Sequence, residues 1–87
     1  MLQRTLYKKQ NIDLSSAPWT MHEFFAGSGL VAYGLKGMFA PIWANDISEQ
    51  KAAVYEANFG CEHFELGDIK DVNGRDLPFA HLSWASF

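Results

Sequence analysis

Glu23-Phe24-Phe25-Ala26-Gly27-Ser28-Gly29-Leu30 decides the reading of this chain. An apolar run from Trp19 to Phe25 stops at two glycines one residue apart, and helix-forming residues (Leu30, Val31, Ala32, Leu35) follow at once. The pattern predicts a strand, a tight turn and a helix start. Glycine takes φ > 0 at little cost and has no Cβ to keep a ligand off the backbone. The opening turn of a helix adds unpaired N–H groups and the positive end of a dipole. A polar or negatively charged small molecule is the natural occupant of such a turn.

Working outward, the chain before this stretch shows little periodicity. Met1 to Pro18 carries cap and turn formers (Asn11, Asp13, Ser15, Ser16) and a small basic group, Arg4, Lys8 and Lys9. It reads as a solvated arm over residues 1–18, and residues 19–87 read as one α/β domain. Pro18 pushes its predecessor toward an extended conformation. After the turn, Leu30, Val31, Gly34, Leu35 and Met38 recur at helical spacing and predict one apolar face, with Gly37 at the stop. Pro41-Ile42-Trp43-Ala44 is a second short strand, ended by Asn45 and Asp46. Ser48 and Glu49 suit the start of a second helix, in which Ala52, Tyr55 and Phe59 share a face and Gly60 ends it. Phe64 to Leu66 is a third strand, followed by Gly67-Asp68-Ile69. Asn73-Gly74 marks a turn. His81 to Phe87 suits a fourth strand. Strands separated by helical crossovers pair in parallel, so the expected class is α/β, a partial Rossmann-like sheet of about four parallel strands with two crossover helices.

Composition narrows the function. With 87 residues there is room for one small domain, and 48% hydrophobic with 15% aromatic residues is enough for a core. A net charge of −3 argues against a nucleic-acid surface made by this chain alone, because phosphate neutralisation needs clustered Lys and Arg. The opening residues lack the apolar segment of a secretory signal, and no apolar run reaches membrane-spanning length. A single cysteine, Cys61, excludes an internal disulfide framework. The expected setting is a reducing cytoplasm with no membrane contact.

In open parallel sheets, ligands lie outside the carboxyl ends of the strands. Each of the first three strands ends in a suitable group: Gly27-Ser28-Gly29, then Asp46 with Ile47, then Asp68 with Ile69. Asp46 lies about 19 residues beyond Gly27, near the separation at which a βαβ unit places its ribose-binding acid. A carboxylate there can accept from both hydroxyls of a ribose. Ile47 could lie against a purine face, and Asp68 could accept from an exocyclic amine. Taken singly, each has a plainer explanation. Asp46 before Ser48 is a good helix cap, Asp68 a good turn residue, and the glycines an ordinary strand-to-helix turn. Together they point to an adenosine-containing ligand. Gly27-x-Gly29-x-x-Ala32 also fits a dinucleotide fingerprint, so an NAD-type fragment stays open from spacing alone.

The wording of the motifs goes further. Phe24-Phe25-Ala26-Gly27-Ser28-Gly29 resembles the first motif of the cytosine-5 DNA methyltransferases. Asn45-Asp46-Ile47, with Ala53-Val54-Tyr55-Glu56-Ala57-Asn58-Phe59-Gly60 after it, is similar to that family's second motif region. Gly67-Asp68-Ile69 resembles its third, and His81 to Phe87 resembles the strand that leads into its catalytic Pro-Cys-Gln loop. The resemblance spans about Thr20 to Phe87, in the family's order. Two positions depart from the family pattern: Leu30 stands where a further glycine is usual, and Asp46 where glutamate is usual, one methylene longer.

The resemblance implies a cofactor, S-adenosyl-L-methionine, held by Phe25, Ala26, Gly27, Ser28, Gly29, Asp46, Ile47, Asp68 and Ile69. It also implies methyl transfer to C5 of a flipped cytosine after a cysteine adds to C6. That cysteine loop follows the point where this chain stops, so none of its residues is expected to be catalytic, and DNA contact is expected only through the missing C-terminal part of the family fold. Cys61 has no activating neighbour in sequence, and His22, His63 and His81 lack metal-ligand spacing. In a sheet ordered third, second, first, fourth, the strand at 81–87 is an edge. It predicts a homo-oligomer or pairing with a complementing subunit, the non-catalytic alternative for this chain.

Overall fold

The structure, a computed structural model, describes residues 17–86. Most of the expected arm, and Phe87, therefore lie outside the described residues. The elements in chain order are β1 (Trp19–Phe24), α1 (Leu30–Gly34), β2 (Phe39–Asp46), α2 (Glu49–Phe59), β3 (Phe64–Leu66) and β4 (Leu82–Ala85), with 3-10 turns at Ile69–Asp71 and Gly74–Asp76 before β4. The four strands form one parallel sheet in the order β3-β2-β1-β4. The α/β class, the strand order and the two crossover helices are those the sequence predicts.

α2 forms where its caps lie. The Ser48 hydroxyl accepts from the Lys51 N–H at 3.2 Å, and Gly60, at φ +85°, closes the helix with its N–H on the Glu56 carbonyl at 2.9 Å. Its inner face, Ala52, Tyr55 and Phe59, is buried as expected. Tyr55 is the centre of the core: its ring lies 4.9 Å from both Phe59 and Phe64, and Ala26, Ala32 and Ala44 complete the cluster. Small alanines in the turn after β1, in α1 and on β2 leave room for the aromatic rings of α2, which is how a short sheet and one long helix reach interior packing density.

The sequence reading needs correction in three places. β2 starts at Phe39 rather than Pro41. Proline donates nothing to a ladder, and the register against β1 shifts between Met21 and His22, opposite Pro41 and Trp43, so a local irregularity absorbs it. α1 is one turn long and ends at Gly34, not Gly37. Its buried residue is Ala32, while Leu30 is 80% and Met38 55% exposed, so the apolar face expected from Leu30, Val31, Gly34, Leu35 and Met38 is not the one that packs. A helix this short takes its orientation from the turn before it, not from its own periodicity. β1 and β4 are also slightly shorter than expected, ending at Phe24 and spanning Leu82–Ala85.

The side of the sheet away from Tyr55 carries a separate aromatic group. His22 meets Phe24 and Trp43 edge to ring, and the Phe24 and Trp43 rings lie tilted with centroids 5.1 Å apart. His22 donates to the Pro78 carbonyl and pairs with the Ser83 hydroxyl at 3.1 Å, which ties the β3–β4 connection to β1.

Candidate functional site

The turn after β1 is built from left-handed backbone. Phe25, Gly27 and Gly29 have φ of +57°, +60° and +95°. Positive φ in a bulky residue such as Phe25 is uncommon and marks a constrained position. Gly29 is required twice over. Besides its φ, a Cβ there would stand 2.6 Å from Phe59 Cε2 and 3.0 Å from Tyr55 Cδ2. The turn therefore packs directly on the aromatic core through Gly29. Gly27 faces more open space, where a Cβ would meet only Lys51 Cδ at 3.9 Å.

Asp46, the last residue of β2, ties this elbow to the rest of the rim. Its Oδ2 accepts from the Gly27 N–H at 2.8 Å and its Oδ1 from the Ser48 N–H at 2.9 Å. Its backbone carbonyl accepts from the Gly67 N–H at 3.0 Å. One residue thus joins the elbow, the start of α2 and the loop after β3. The capping role that Asp46 could have by sequence is real, and it leaves acceptor capacity over: each carboxylate oxygen has two acceptor directions, and one N–H uses one of them. Ile47 beside it is 67% exposed, an uncovered apolar side chain at the strand tip.

Asp68 is placed one residue past the Gly67 contact. Its Oδ1 accepts from the Lys70 N–H at 2.9 Å, and Lys70 Nζ lies 3.8 Å from its Oδ2. Asp68 is thus a turn aspartate too, at the rim, with Ile69 half-buried next to it. A buried amide that the sequence reading passed over holds this loop in place. Asn45 Nδ2 donates to the carbonyls of Glu65 at 2.8 Å and Gly67 at 3.0 Å. The three strand tips are therefore linked by hydrogen bonds through Asn45 and Asp46. A cavity of about 240 Å³ shares only Ser28 and Gly29 with them; it opens between the helices, among Leu30, Tyr33, Val54, Asn58 and Phe59.

Beneath the elbow lies a second group that sequence inspection missed. Glu23 on β1 is 1% exposed, and its Oε1 has no hydrogen-bond partner. Burial pushes its carboxyl up to about 7, against a smaller lowering by the Ala32 backbone N–H at the start of α1. The only signal in the sequence is an acid inside an otherwise apolar strand. Tyr55 is in electrostatic contact with it, and the phenol is raised well above its usual range by burial first and by Glu23 second. The Tyr55 hydroxyl donates to His63 Nε2 at 2.7 Å. Burial lowers His63, with the nearby Glu62 opposing, which keeps the imidazole neutral and able to accept. The other two histidines have protein partners of their own: His22 as above, and His81 Nδ1 with Thr20 at 3.0–3.1 Å. Cys61 is exposed in the turn after α2.

The family model for C-5 cytosine-specific DNA methylase matches residues 19–84, about three quarters of the chain. The chain belongs to the C-5 cytosine-specific DNA methylase family. Searches of curated proteins and of solved structures returned no match. The matched span takes in the elbow, Asp46, Asp68, the Tyr55-to-Gly60 run and most of β4. Family membership displaces the dinucleotide alternative, which the glycine spacing alone had left open. No helix among the described residues is long and apolar enough to cross a membrane.

Proposed function

We propose that this segment of the C-5 cytosine-specific DNA methylase fold holds the methyl donor, S-adenosyl-L-methionine, on the rim formed by the elbow and the tips of β2 and β3. The observation that carries the reading is the 2.8 Å bond from the Gly27 N–H to the Asp46 carboxylate. It brings glycine backbone and a carboxylate with spare acceptor capacity into one rim, beside the exposed Ile47. That donor set suits an adenosine. Asp46 accepts from the ribose hydroxyls, Ile47 covers one purine face, Asp68 accepts from the exocyclic amine beside Ile69, and Phe25, Ala26, Gly27, Ser28 and Gly29 line the elbow. When bound, the donor supplies an electrophilic methyl group for C5 of cytosine in DNA.

This chain's own residues bind and orient. Its one cysteine, Cys61, lies after α2 on the surface and not at the rim, so the 87 residues alone are expected to transfer no methyl group. DNA is a partner of the wider family fold through parts outside this chain, and a reducing cytoplasm suits a chain with one exposed thiol. β4, at the edge of the sheet with Trp84 43% exposed, is offered for pairing with a second copy or a complementing polypeptide.

Titration calorimetry with S-adenosylmethionine and with S-adenosylhomocysteine tests the reading. Saturable binding that Asp46→Ala weakens by about one to two orders of magnitude is expected from the loss of charged hydrogen bonds. No binding of either compound, alone or with the remainder of the family fold added in trans, sinks it.

A further inference from the structure

The buried carboxylate of Glu23 is not used by any of the contacts assigned above. It stands two residues before the elbow, and it is not a surface charge: at 1% exposure it is as buried as the core. Three features connect it to the rim. The Ala32 N–H at the start of α1 lies against it. Tyr55 contacts it electrostatically while packing where a Cβ on Gly29 would stand. Its Oε1 remains without a partner in a setting where almost every buried oxygen has one. A carboxylate that the protein does not satisfy, directly under a binding turn, responds to charge placed in that turn. In so low a dielectric the response carries through several ångströms.

We propose that Glu23 is a specificity-determining residue that senses the charge of the ligand in the elbow and favours the cationic methyl donor over its neutral thioether product. The inference rests on the reading of the elbow as the donor site and deepens it. The two ligands share adenosine and amino-acid parts and differ by the sulfonium charge. A cation above the elbow stabilises ionised Glu23; the product lacks the sulfonium and does so less. Because the group changes state near pH 7, the preference is weak at pH 6, where Glu23 holds its proton, and stronger at pH 8, where it does not. The surrounding groups do not supply this charge change. From α1 the group that meets Glu23 is the uncharged Ala32 backbone N–H. From α2 come Tyr55, held protonated by burial, and, toward Gly27, the Lys51 stem. From β2 the charged neighbour of the elbow is Asp46, and from β4 the register partner is the uncharged Trp84. His63 is hydrogen-bonded to the Tyr55 hydroxyl, and the charge that acts on it is Glu62.

The test is calorimetry of the full chain with S-adenosylmethionine and S-adenosylhomocysteine at pH 6 and pH 8, each in two buffers of different ionisation enthalpy. The sulfonium also makes the donor's own α-amino group more acidic than the product's, so the Glu23→Gln chain, which carries no carboxyl here, supplies the baseline for the ratio of the two dissociation constants at each pH. Each pH unit by which the sulfonium lowers Glu23 changes that ratio by up to about tenfold. The expected result is a ratio that moves several-fold toward the donor at pH 8 and a larger proton release for the donor near pH 7, both beyond what Glu23→Gln shows. If Glu23→Gln does not fold, the proton count of the unmodified chain decides, once the separately titrated α-amino group of each free ligand has been subtracted. Binding of both ligands with a flat ratio and equal proton release overturns the proposal while leaving the donor site standing. A Glu23→Gln chain that keeps the pH dependence also overturns it. Binding of neither ligand overturns the elbow reading itself, and this inference with it.

Discussion

Replacing Glu23 with Gln should change how the stability of this fold depends on pH, whatever the elbow binds. In the folded chain the carboxyl sits at about 7 instead of 4.5, chiefly because burial disfavours its charged form. The native state therefore holds this proton more tightly than the unfolded chain. The stability the group contributes is present below pH 4.5 and is lost as pH rises to about 7, above which the native state carries an ionised, half-satisfied carboxylate. At roughly 1.4 kcal/mol per pH unit of displacement, the full effect is about 3 kcal/mol. That is a large fraction of the stability a domain of this size has. The amide of Gln keeps the shape and an acceptor for the Ala32 N–H but has no charge to bury. Urea unfolding of both chains, at half-unit steps from pH 4.5 to pH 8, should show the variant gaining about 3 kcal/mol relative to the parent across the range. His63, lowered by burial, gives both chains a loss of stability as pH falls below its ordinary 6.5, and it cancels in the difference. Two parallel curves with a constant offset would refute the reasoning, because then Glu23 does not change protonation with folding.

Further outcomes follow from the same contacts. Gly29→Ala forces a Cβ to within 2.6 Å of Phe59 Cε2 at φ +95°; a loss of about 2–4 kcal/mol is expected in thermal or urea unfolding, and a chain that melts like the parent contradicts the packing of the elbow on the core. Tyr55→Phe removes the 2.7 Å bond to His63 and leaves its Nε2 without a donor, at a cost of about 1 kcal/mol; NMR titration should also show the His63 midpoint rising, and an unmoved midpoint counts against the bond. Asp46→Asn keeps the side chain's shape yet replaces one oxygen by an N–H donor, so it should loosen either the Gly27 or the Ser48 contact and weaken S-adenosylmethionine by about tenfold or more; undiminished affinity removes Asp46 from the site. Sedimentation at high concentration should show self-association that Trp84→Lys suppresses, and a clean monomer for the parent chain counts against pairing through β4.

How much of this was legible in the sequence depends on whether a signal was local. α2 could be read in full because its caps and its inner face all lie within its own residues: Ser48, Gly60, and the Ala52, Tyr55, Phe59 spacing. The parallel order of the strands followed from the alternation of strand and helix, and the family from short motifs in a fixed order. α1 was misread because five residues cannot express a period; what fixes it is Gly29 against Phe59 and Tyr55, contacts about 30 positions apart in the chain. Pro41 hid the start of β2, since a proline inside a strand is tolerated only where the neighbouring register gives way, and that is a property of the pair of strands.

The site divides along the same line, and Asp46 shows how a structural contact and the proposed binding contact can share one side chain. Spacing alone put an acid at the tip of β2, but it could not say whether that acid caps the next helix or meets a ligand. The structure shows the cap, and the proposed ligand contact needs only the acceptor directions that the cap leaves over. With Oδ1 on Ser48 and Oδ2 on Gly27, the carboxylate is fixed in orientation before any ligand arrives, and its remaining acceptor directions are aimed by those two N–H groups. An acid held only by the ligand would lose side-chain freedom on binding, at a cost of about 0.5–1.5 kcal/mol for each long side chain so ordered. Here folding has already supplied that order. A shorter aspartate in place of the family's usual glutamate fits the same logic, because it has one fewer rotatable bond and can reach the elbow N–H and the Ser48 N–H at once. Lengthening it by Asp46→Glu should therefore lower stability through the disturbed Gly27 and Ser48 contacts and weaken S-adenosylmethionine, though less than Asp46→Ala does, because the charge stays while its fixed orientation is lost; undiminished affinity in Asp46→Glu would mean that the pre-set orientation contributes nothing.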